Sequence, residues 1–264
     1  MPAARLLTLC ESSDAVLTAL LAELPGLVVA TDVDMANLSA LGTLMQQHAL
    51  ETDFLLLFER DELVLCRADA KGRFGKHRIA LDTSAVVKRA SAVTELHRAC
   101  LGARGGSVRV LDLFAGWGMD AFALAAAGAR VTCVEMQPAM VALLRDATRR
   151  IQADIAERLT ILHGDGLSYL SAQNAQEMDV IYLDPMFPAR RKGALPNKRL
   201  QWLAELTRGD SVALAPLLEL VELASTRASK QVVLKRRRND PVIGSPVRQL
   251  SGSSVRYDIY PSSH

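Results

Sequence analysis

The sequence predicts an α/β protein built around a mostly parallel sheet. Residues 108–114 form an apolar run, as expected of a parallel strand covered on both faces, and a glycine turn and a helix-forming segment follow it. Apolar segments of strand length then alternate with longer helical patterns up to about residue 235. Half of the 264 residues are hydrophobic, so the chain can bury a full core.

Residues 1–83 are predicted to form a small N-terminal α/β region with a basic loop. We expect strands at 5–10 and 27–30, and a helix over 14–23 that Ser13 can cap. Two apolar segments, 53–59 and 62–66, flank Arg60-Asp61 and indicate a hairpin. No catalytic constellation occurs in this region, so it is expected to orient a substrate or a partner.

Residues 84–264 are predicted to form the second domain. A helical pattern over 84–101 and a linker at 102–107 lead to the central strand at 108–114. A helix over 120–127 should end at Gly128. Further strands are expected at 130–135, 159–163, 178–183 and 231–235, and the segments 247–250 and 255–260 should form a terminal antiparallel hairpin.

The glycine turn after the central strand is typical of a nucleotide-binding edge. Gly116 and Gly118 allow a tight turn at the start of a helix, where backbone N–H groups can face a ligand. With Ala121 they match the dinucleotide spacing G-x-G-x-x-G/A, and Glu135 follows about 20 residues later to hold a ribose. This pattern leaves two chemistries open, hydride transfer by an NAD-dependent oxidoreductase and methyl transfer from S-adenosylmethionine.

A second motif separates these two chemistries. The apolar strand 178–183 ends in Asp184-Pro185-Met186-Phe187, which places a carboxylate, a rigid turn and an aromatic ring at the edge where α/β sheets bind ligands. An oxidoreductase leaves this motif unexplained. The segment resembles the Asp-Pro-Pro-Tyr/Phe motif of methyltransferases that modify planar exocyclic amines, although Met186 replaces the second proline.

Three segments together resemble the bacterial ribosomal RNA small subunit methyltransferase J family. They are the Asp184 motif, Asp112-x-x-Ala115-Gly116-x-Gly118-x-Asp120, and the closing run 256–260, and the resemblance covers about residues 104–260. It implies a Rossmann-like class I S-adenosylmethionine-dependent methyltransferase fold with S-adenosylmethionine as cofactor. It also implies methylation of the exocyclic 2-amino group of a guanosine, nucleotide 1516 in the family's usual numbering, in 16S small-subunit RNA.

The candidate site residues follow from these motifs. Glu135 can accept both ribose hydroxyls, and Asp165 can accept from the adenine amine or cap a helix. Asp184 could accept the amine hydrogens of the substrate, and Phe187 could stack on a flipped base. The catalytic candidates are Asp184, Pro185 and Phe187. The cofactor-binding candidates are Asp112, Gly116, Gly118, Met119, Asp120, Glu135, Met136, Asp165, Gly166 and Asp184.

The charge distribution favours a polyanionic partner. The net charge is only +2, yet Lys and Arg are concentrated in residues 71–104, 184–199 and 228–256. A loop with an aromatic ring among cations, at 71–76, can contact both phosphate and base. The candidate RNA-binding residues are Arg73, Phe74, Lys76, Arg190, Arg191, Lys192, Lys235 and Arg236. The expected partner is small-subunit ribosomal RNA or the 30S particle.

The remaining features suggest a soluble, cytoplasmic protein with neither a metal site nor a membrane segment. The four cysteines are scattered without a CxxC pair, so we expect buried free thiols. The start of the chain has no signal-peptide pattern, and no apolar run is long enough to span a membrane.

Three alternatives to guanosine methylation remain. They are methylation of adenine or cytosine amines, methylation of a protein glutamine, and a non-catalytic RNA-binding role.

Overall fold

The computed structural model describes residues 6–9, 15–24, 27–30, 54–67, 77–90, 94–102, 107–172, 178–185, 198–206 and 214–263. The strands in chain order are β1 (Leu6–Leu9), β2 (Leu27–Ala30), β3 (Phe54–Glu59), β4 (Glu62–Arg67), β5 (His77–Ala80), β6 (Arg109–Asp112), β7 (Arg130–Glu135), β8 (Leu159–His163), β9 (Met178–Leu183), β10 (Ala228–Arg237), β11 (Arg248–Ser251) and β12 (Val255–Pro261). The helices are α1 (Ala15–Leu21), α2 (Thr83–Ala90), α3 (Glu95–Cys100), α4 (Met119–Ala126), α5 (Pro138–Arg150), α6 (Ala153–Ala156), α7 (Gly166–Ser171), α8 (Lys198–Leu206) and α9 (Leu214–Ser225).

The first compact unit comprises Met1–Asp82 together with Pro138–Arg150. Its sheet has the order β2-β1-β3-β4-β5, in which β1 is parallel to β2 and β3, and β4 is antiparallel to both neighbours. Arg60 and Asp61 both have positive φ angles, of 51° and 60°, which is the conformation of a two-residue type I′ turn. The predicted hairpin is therefore confirmed.

Helix α5 belongs to this first unit, whereas the sequence prediction had placed all of residues 84–264 in one domain. The helix is anchored through Asp146, whose side chain is fully buried and accepts a hydrogen bond from the backbone N of Leu63 at 3.1 Å. Arg149 and Arg150 also donate to the Asp146 carboxylate, at 3.0 and 2.8 Å. Contacts across more than 80 residues decide this grouping, and a local sequence pattern does not encode them.

The second unit comprises Thr83–Gln137 and Ile151–His264 and contains the predicted parallel sheet. The strand order is β11-β12-β10-β9-β6-β7-β8. The strands from β6 to β10 are parallel to one another, and β12 lies antiparallel between β10 and β11. From β6 the chain builds outward through β7 and β8, and then returns to β9 on the other side. The carboxyl ends of β6 and β9 thus form a topological switch point, where open α/β sheets bind ligands.

The helices differ from the prediction, which did not include α6 or α8. The helical pattern over 84–101 corresponds to two helices, α2 and α3. Helix α3 starts after Thr94, whose backbone N donates to Nδ1 of His97 at 3.0 Å and so satisfies a group at the helix start. Helix α4 ends as predicted, because Gly128 adopts a φ of +102° just beyond it.

Over the described part of the chain, no helix combines the length and the apolar character needed to cross a membrane. The same residues contain no group of three or more His, Cys, Asp or Glu side chains arranged to hold a metal ion. Cys66, Cys100 and Cys133 are buried unpaired thiols, as predicted for them, and Cys10 lies outside the described residues.

Candidate active site

The predicted site residues of the second unit meet at the carboxyl edge of its sheet. Asp112 is the last residue of β6, and Glu135 is the last residue of β7. Asp165 follows β8 at the start of α7, and Asp184 directly follows β9. Because these strands are parallel neighbours, their ends lie side by side, and residues far apart in sequence line one crevice.

The glycine turn has the geometry that its sequence predicts. Gly116 and Gly118 adopt positive φ angles of 50° and 69°, which other residues rarely adopt. Gly118 immediately precedes α4, whose first turn carries Asp120. The backbone N of Phe114 donates to Oδ1 of Asp112 at 3.2 Å, which fixes the carboxylate at the entrance of the turn.

Glu135 connects the glycine turn to the end of β7. The residue is only 8% exposed, and its two carboxylate oxygens accept from the backbone N of Gly116 at 2.8 Å and of Gln137 at 2.7 Å. Burial raises the pKa of Glu135, and these backbone N–H groups oppose that shift. A carboxylate offers about four acceptor positions, so this fixed group retains the capacity to accept two ribose hydroxyls.

Apolar side chains flank the next part of the crevice. Met136 after β7 and Leu167 in the first turn of α7 are 41% and 51% exposed, which suits a flat heteroaromatic ring that needs apolar contacts. Nε2 of His163 lies 3.1 Å from the Met136 carbonyl oxygen. The sequence analysis missed Leu167, although its position directly after Asp165-Gly166 was an available signal.

Asp165 and Gly166 shape the start of α7. Oδ2 of Asp165 accepts from the backbone N of Ser168 at 2.7 Å, so Asp165 caps the helix, the alternative role given to it from sequence. A Cβ at Gly166 would lie 2.6 Å from the carbonyl oxygen of Leu113, a separation that real Cβ atoms do not show. Gly166 therefore allows α7 to approach the end of β6.

A cluster of charged side chains lies beside the glycine turn. Nζ of Lys235 donates to Oδ2 of Asp184 at 2.8 Å and to Oδ2 of Asp120 at 2.6 Å. The hydroxyl of Tyr182 donates to the same Asp120 oxygen at 2.6 Å. Asp184 retains an exposed side-chain fraction of 30%, so its carboxylate is open to a ligand while one oxygen is held by Lys235.

Burial and neighbouring charges shift the pKa values of Asp184, Asp112 and Lys235. Burial raises the pKa of Asp184, the positive charge of Lys235 lowers it, and the negative charge of Asp120 raises it. Burial also raises the pKa of Asp112 well above its usual range, and the Phe114 N–H counteracts part of that effect. Burial alone would lower the pKa of Lys235, but the charges of Asp184 and Asp120 raise it above its ordinary value.

These features fit S-adenosylmethionine, the cofactor implied by the sequence. The carboxylates of Asp120 and Asp184 outnumber Lys235, the cation that they share, and this pair suits a ligand with a sulfonium and an ammonium group. Glu135 would hold the ribose, and Met136 and Leu167 would contact the adenine. The glycine turn leaves space for the methionine part beside Met119 and Asp120.

The structure does not place every residue predicted from sequence. Met186, Phe187, and the predicted RNA contacts Arg73, Phe74, Lys76, Arg190, Arg191 and Lys192 lie outside the described residues. Pro185 is described and is buried.

Lys235 and Arg236, which the sequence analysis predicted to contact phosphate, lie next to carboxylates of the protein itself. Lys235 is paired with two carboxylates, and Arg236 is only 3% exposed and lies 3.7 Å from Oδ2 of Asp240. Consecutive residues of a strand point to opposite faces, and here both faces are covered. A basic run at a strand end therefore does not by itself identify a phosphate-binding surface.

Comparison with known proteins is consistent with this site. A family model for SAM-dependent methyltransferases matches residues 40–262, which is most of the chain. The fold and the site thus define a member of the SAM-dependent methyltransferases, with S-adenosylmethionine as cofactor. The match favours methyl transfer over the hydride transfer that the glycine turn had left open.

Curated relatives specify the family further. Ribosomal RNA small subunit methyltransferase J of Alkalilimnicola ehrlichii is 40% identical over 223 residues, which cover 80% of this chain and 83% of the relative. The protein of the same name from Pseudomonas paraeruginosa is 44% identical over 160 residues, which cover 58% of this chain and 60% of the relative. The chain belongs to the ribosomal RNA small subunit methyltransferase J family.

A solved structure supports the fold. The crystal structure of a SAM-dependent methyltransferase from Neisseria gonorrhoeae superposes with a TM-score of 0.71 at 23% identity, covering 97% of this chain and 96% of that one. At this identity, the likeness extends to the fold alone.

Proposed function

We propose that this protein transfers a methyl group from S-adenosylmethionine to the exocyclic 2-amino group of a guanosine, nucleotide 1516, in 16S ribosomal RNA of the small subunit, and that it does so in the cytoplasm. The observation that carries the proposal is the position of Asp184. Its carboxylate follows β9 at the switch point, remains 30% exposed, and is hydrogen-bonded by Lys235. The names of the relatives support the RNA substrate.

The amine chemistry explains why a carboxylate is needed at this position. The lone pair of an exocyclic amine on guanine is delocalised into the ring, so the amine is a weak nucleophile. Asp184 can accept an amine N–H through Oδ1 while Oδ2 stays with Lys235, which would orient the nitrogen and localise its lone pair. Bound S-adenosylmethionine supplies an electrophilic methyl group on a positively charged sulfur.

The proton released from the amine also needs an acceptor. When the nitrogen forms its new bond to carbon, the nitrogen becomes positively charged and its N–H becomes acidic. Asp184 already accepts that hydrogen, and it can take the proton and pass it to solvent, because part of its side chain is exposed. Alignment by this hydrogen bond, together with charge stabilisation, would supply most of the rate.

The test is a methylation assay with labelled donor. Purified protein is incubated with tritiated S-adenosylmethionine and with small-subunit RNA or 30S particles that lack the modification, and the product is mapped by nuclease digestion and mass spectrometry. A single 2-methylguanosine is expected. Label on another base would keep the enzyme class and discard this nucleotide. Absence of label on either RNA form would contradict the proposal and direct the search to DNA or to protein glutamine.

Asp184→Asn separates catalysis from RNA binding. The amide keeps the shape of the side chain but is a poorer acceptor, so methyl transfer should fall by about 10²-fold or more. RNA affinity should remain, since Asp184 contributes no positive charge. Asp154→Asn is the matched control, because the side chain of Asp154 is 65% exposed on α6, away from the sheet edge. Unchanged methyl transfer in Asp184→Asn would contradict the assigned role.

A further inference from the structure

The geometry points to Lys235 as a positioning residue that keeps Asp184 ionised and aligned for the substrate amine, an inference that rests on the function proposed above. The lysine itself need not contact RNA or cofactor. It would act through Asp184, by presenting a carboxylate of fixed orientation to the amine hydrogens.

Strand register places Lys235 beside Asp184. In the parallel pair of β10 and β9, Val233 is opposite Tyr182 and Leu234 is opposite Leu183, so Lys235 comes level with the residue that follows β9. In the antiparallel pair of β10 and β12, Tyr257 is opposite Lys235. The central position of β10 between these two strands holds the lysine backbone rigidly.

Lys235 bridges two carboxylates, one that follows β9 and one in α4. Its Nζ atom lies 2.8 Å from Oδ2 of Asp184 and 2.6 Å from Oδ2 of Asp120 in the first turn of α4. Tyr182 donates to that Asp120 oxygen, which fixes the bridge from a second side. Asp184 is thereby connected to the helix that follows the glycine turn.

No other cation near Asp184 is evident among the described groups that influence this cluster. Titratable groups from four strands and two helices surround the cluster. Lys235 of β10 is the cation among them, and the others are acidic or neutral: Asp112 of β6, Asp120 of α4, Tyr182 of β9, Tyr257 of β12 and Cys100 of α3. Without Lys235, Asp184 and Asp120 would face each other without a compensating charge, and protonation of Asp184 would become favourable. A protonated Asp184 loses acceptor capacity for the amine.

The test compares neutral and charged replacements of Lys235. Lys235→Met removes the charge and retains most of the length of the unbranched side chain, and Lys235→Arg retains the charge. Lys230→Met is the control on the same strand, because Lys230 is 61% exposed and pairs with Asp179 at the other end of β9. The rate of RNA methylation is measured from pH 5.5 to 9. The carboxyl carbons are followed by NMR titration of protein labelled with ¹³C-aspartate, in which Asp184→Asn identifies the Asp184 signal.

A positioning role predicts a pH-dependent defect. In Lys235→Met, the acidic limb of the kcat/KM profile should shift to higher pH, with a loss of at least about tenfold at pH 6 that shrinks as the pH rises. The Asp184 carboxyl signal should titrate at higher pH than in the wild type. Lys235→Arg should restore part of the acidic limb, and Lys230→Met should match the wild type in both measurements.

Other outcomes would overturn the inference. An unchanged titration of Asp184 in Lys235→Met would do so, and so would a loss of activity that is equal at every pH. If Lys235→Met does not fold, Lys235→Gln provides the same neutral comparison with a polar side chain. The NMR titration needs no substrate, so failure of the wild type to methylate RNA would count against the proposed function and leave the link between Lys235 and Asp184 tested independently.

Discussion

Glu135 accepts a hydrogen bond from the backbone N of Gly116 at 2.8 Å, so the carboxylate at the end of β7 fixes the glycine turn that follows β6. The other oxygen of Glu135 accepts from Gln137, which fixes the chain as it leaves β7. One side chain therefore organises two neighbouring loops of the cofactor crevice. Cofactor affinity and local stability should consequently depend on the same residue.

Replacement of Glu135 by Gln should weaken cofactor binding and lower stability. The amide offers one acceptor oxygen to two backbone donors, so one N–H is left facing an NH₂ group, at a cost of about 1–3 kcal/mol. We expect the Kd for S-adenosylhomocysteine, measured by calorimetry, to rise about tenfold or more, with a lower Tm. Glu222→Gln on the exposed side of α9 is the control. Wild-type affinity in Glu135→Gln would contradict the assigned role.

Gly166 and Gly164 provide a matched pair of substitutions. Ala at position 166 would place its Cβ 2.6 Å from the Leu113 carbonyl oxygen, so α7 must move, at an expected cost of about 1–3 kcal/mol. Ala at position 164 meets no atom within 4 Å and should change stability by no more than about 0.5 kcal/mol. Urea unfolding measures both variants. Equal stabilities would show that α7 is not held closely against β6.

Asp146→Asn should destabilise the N-terminal unit. The buried carboxylate accepts from the backbone N of Leu63 and from Arg149 and Arg150, and the amide removes the buried charge that these two arginines share, although Arg149 keeps Asp61 and Arg150 keeps Glu62. A loss of about 2–4 kcal/mol is expected in chemical unfolding. Asp154→Asn, which breaks an exposed pair with Arg158 at 3.5 Å, should cost no more than about 0.5 kcal/mol. Similar losses in both variants would argue against a buried network.

Asp112→Asn should stabilise the cofactor-free protein in a pH-dependent manner. Burial raises the pKa of Asp112 in the folded state, so its folded form binds a proton more tightly than its unfolded form. The wild type therefore loses stability as the pH rises through the folded pKa, and the asparagine variant avoids this loss. Urea unfolding at pH 4 to 8 should show an advantage of the variant that grows with pH. At pH values above the folded pKa, where Asp112 is ionised, cofactor affinity should fall, because the substitution removes a negative charge from the crevice. A variant that is less stable at every pH would refute this explanation.

Much of the fold could be predicted from local patterns. The apolar run 108–114, the glycine turn and Gly128 identified β6 and α4, and the paired apolar segments around Arg60-Asp61 identified the β3–β4 hairpin. The terminal hairpin of β11 and β12 was also predicted. These elements were accessible because periodicity and turn residues are set by the chain within a few neighbouring positions.

The site was only partly accessible from sequence. The motifs at 112–120, 135–136, 165–166 and 184 were each recognisable, and their parallel strands predicted a common edge. The sequence analysis predicted that Lys235 contacts RNA, whereas the structure pairs it with Asp184 and Asp120. A basic run looks the same in sequence whether it faces phosphate or a buried carboxylate. Leu167 was missed although it directly follows Asp165-Gly166, because an exposed apolar residue acquires a binding role only through its spatial neighbours.

The sequence by itself thus determined most of the strands, although not β5, and it determined several turns and the carboxylates that stand at strand ends. Only the tertiary structure decided that Lys235 meets Asp184, 51 residues away, and Asp120, 115 residues away, and that α5 joins the N-terminal sheet. The physical reason is the range of the interactions. Backbone preferences and hydrophobic periodicity act over a few residues, whereas ion pairs and helix packing depend on strand order and register, which the whole fold sets.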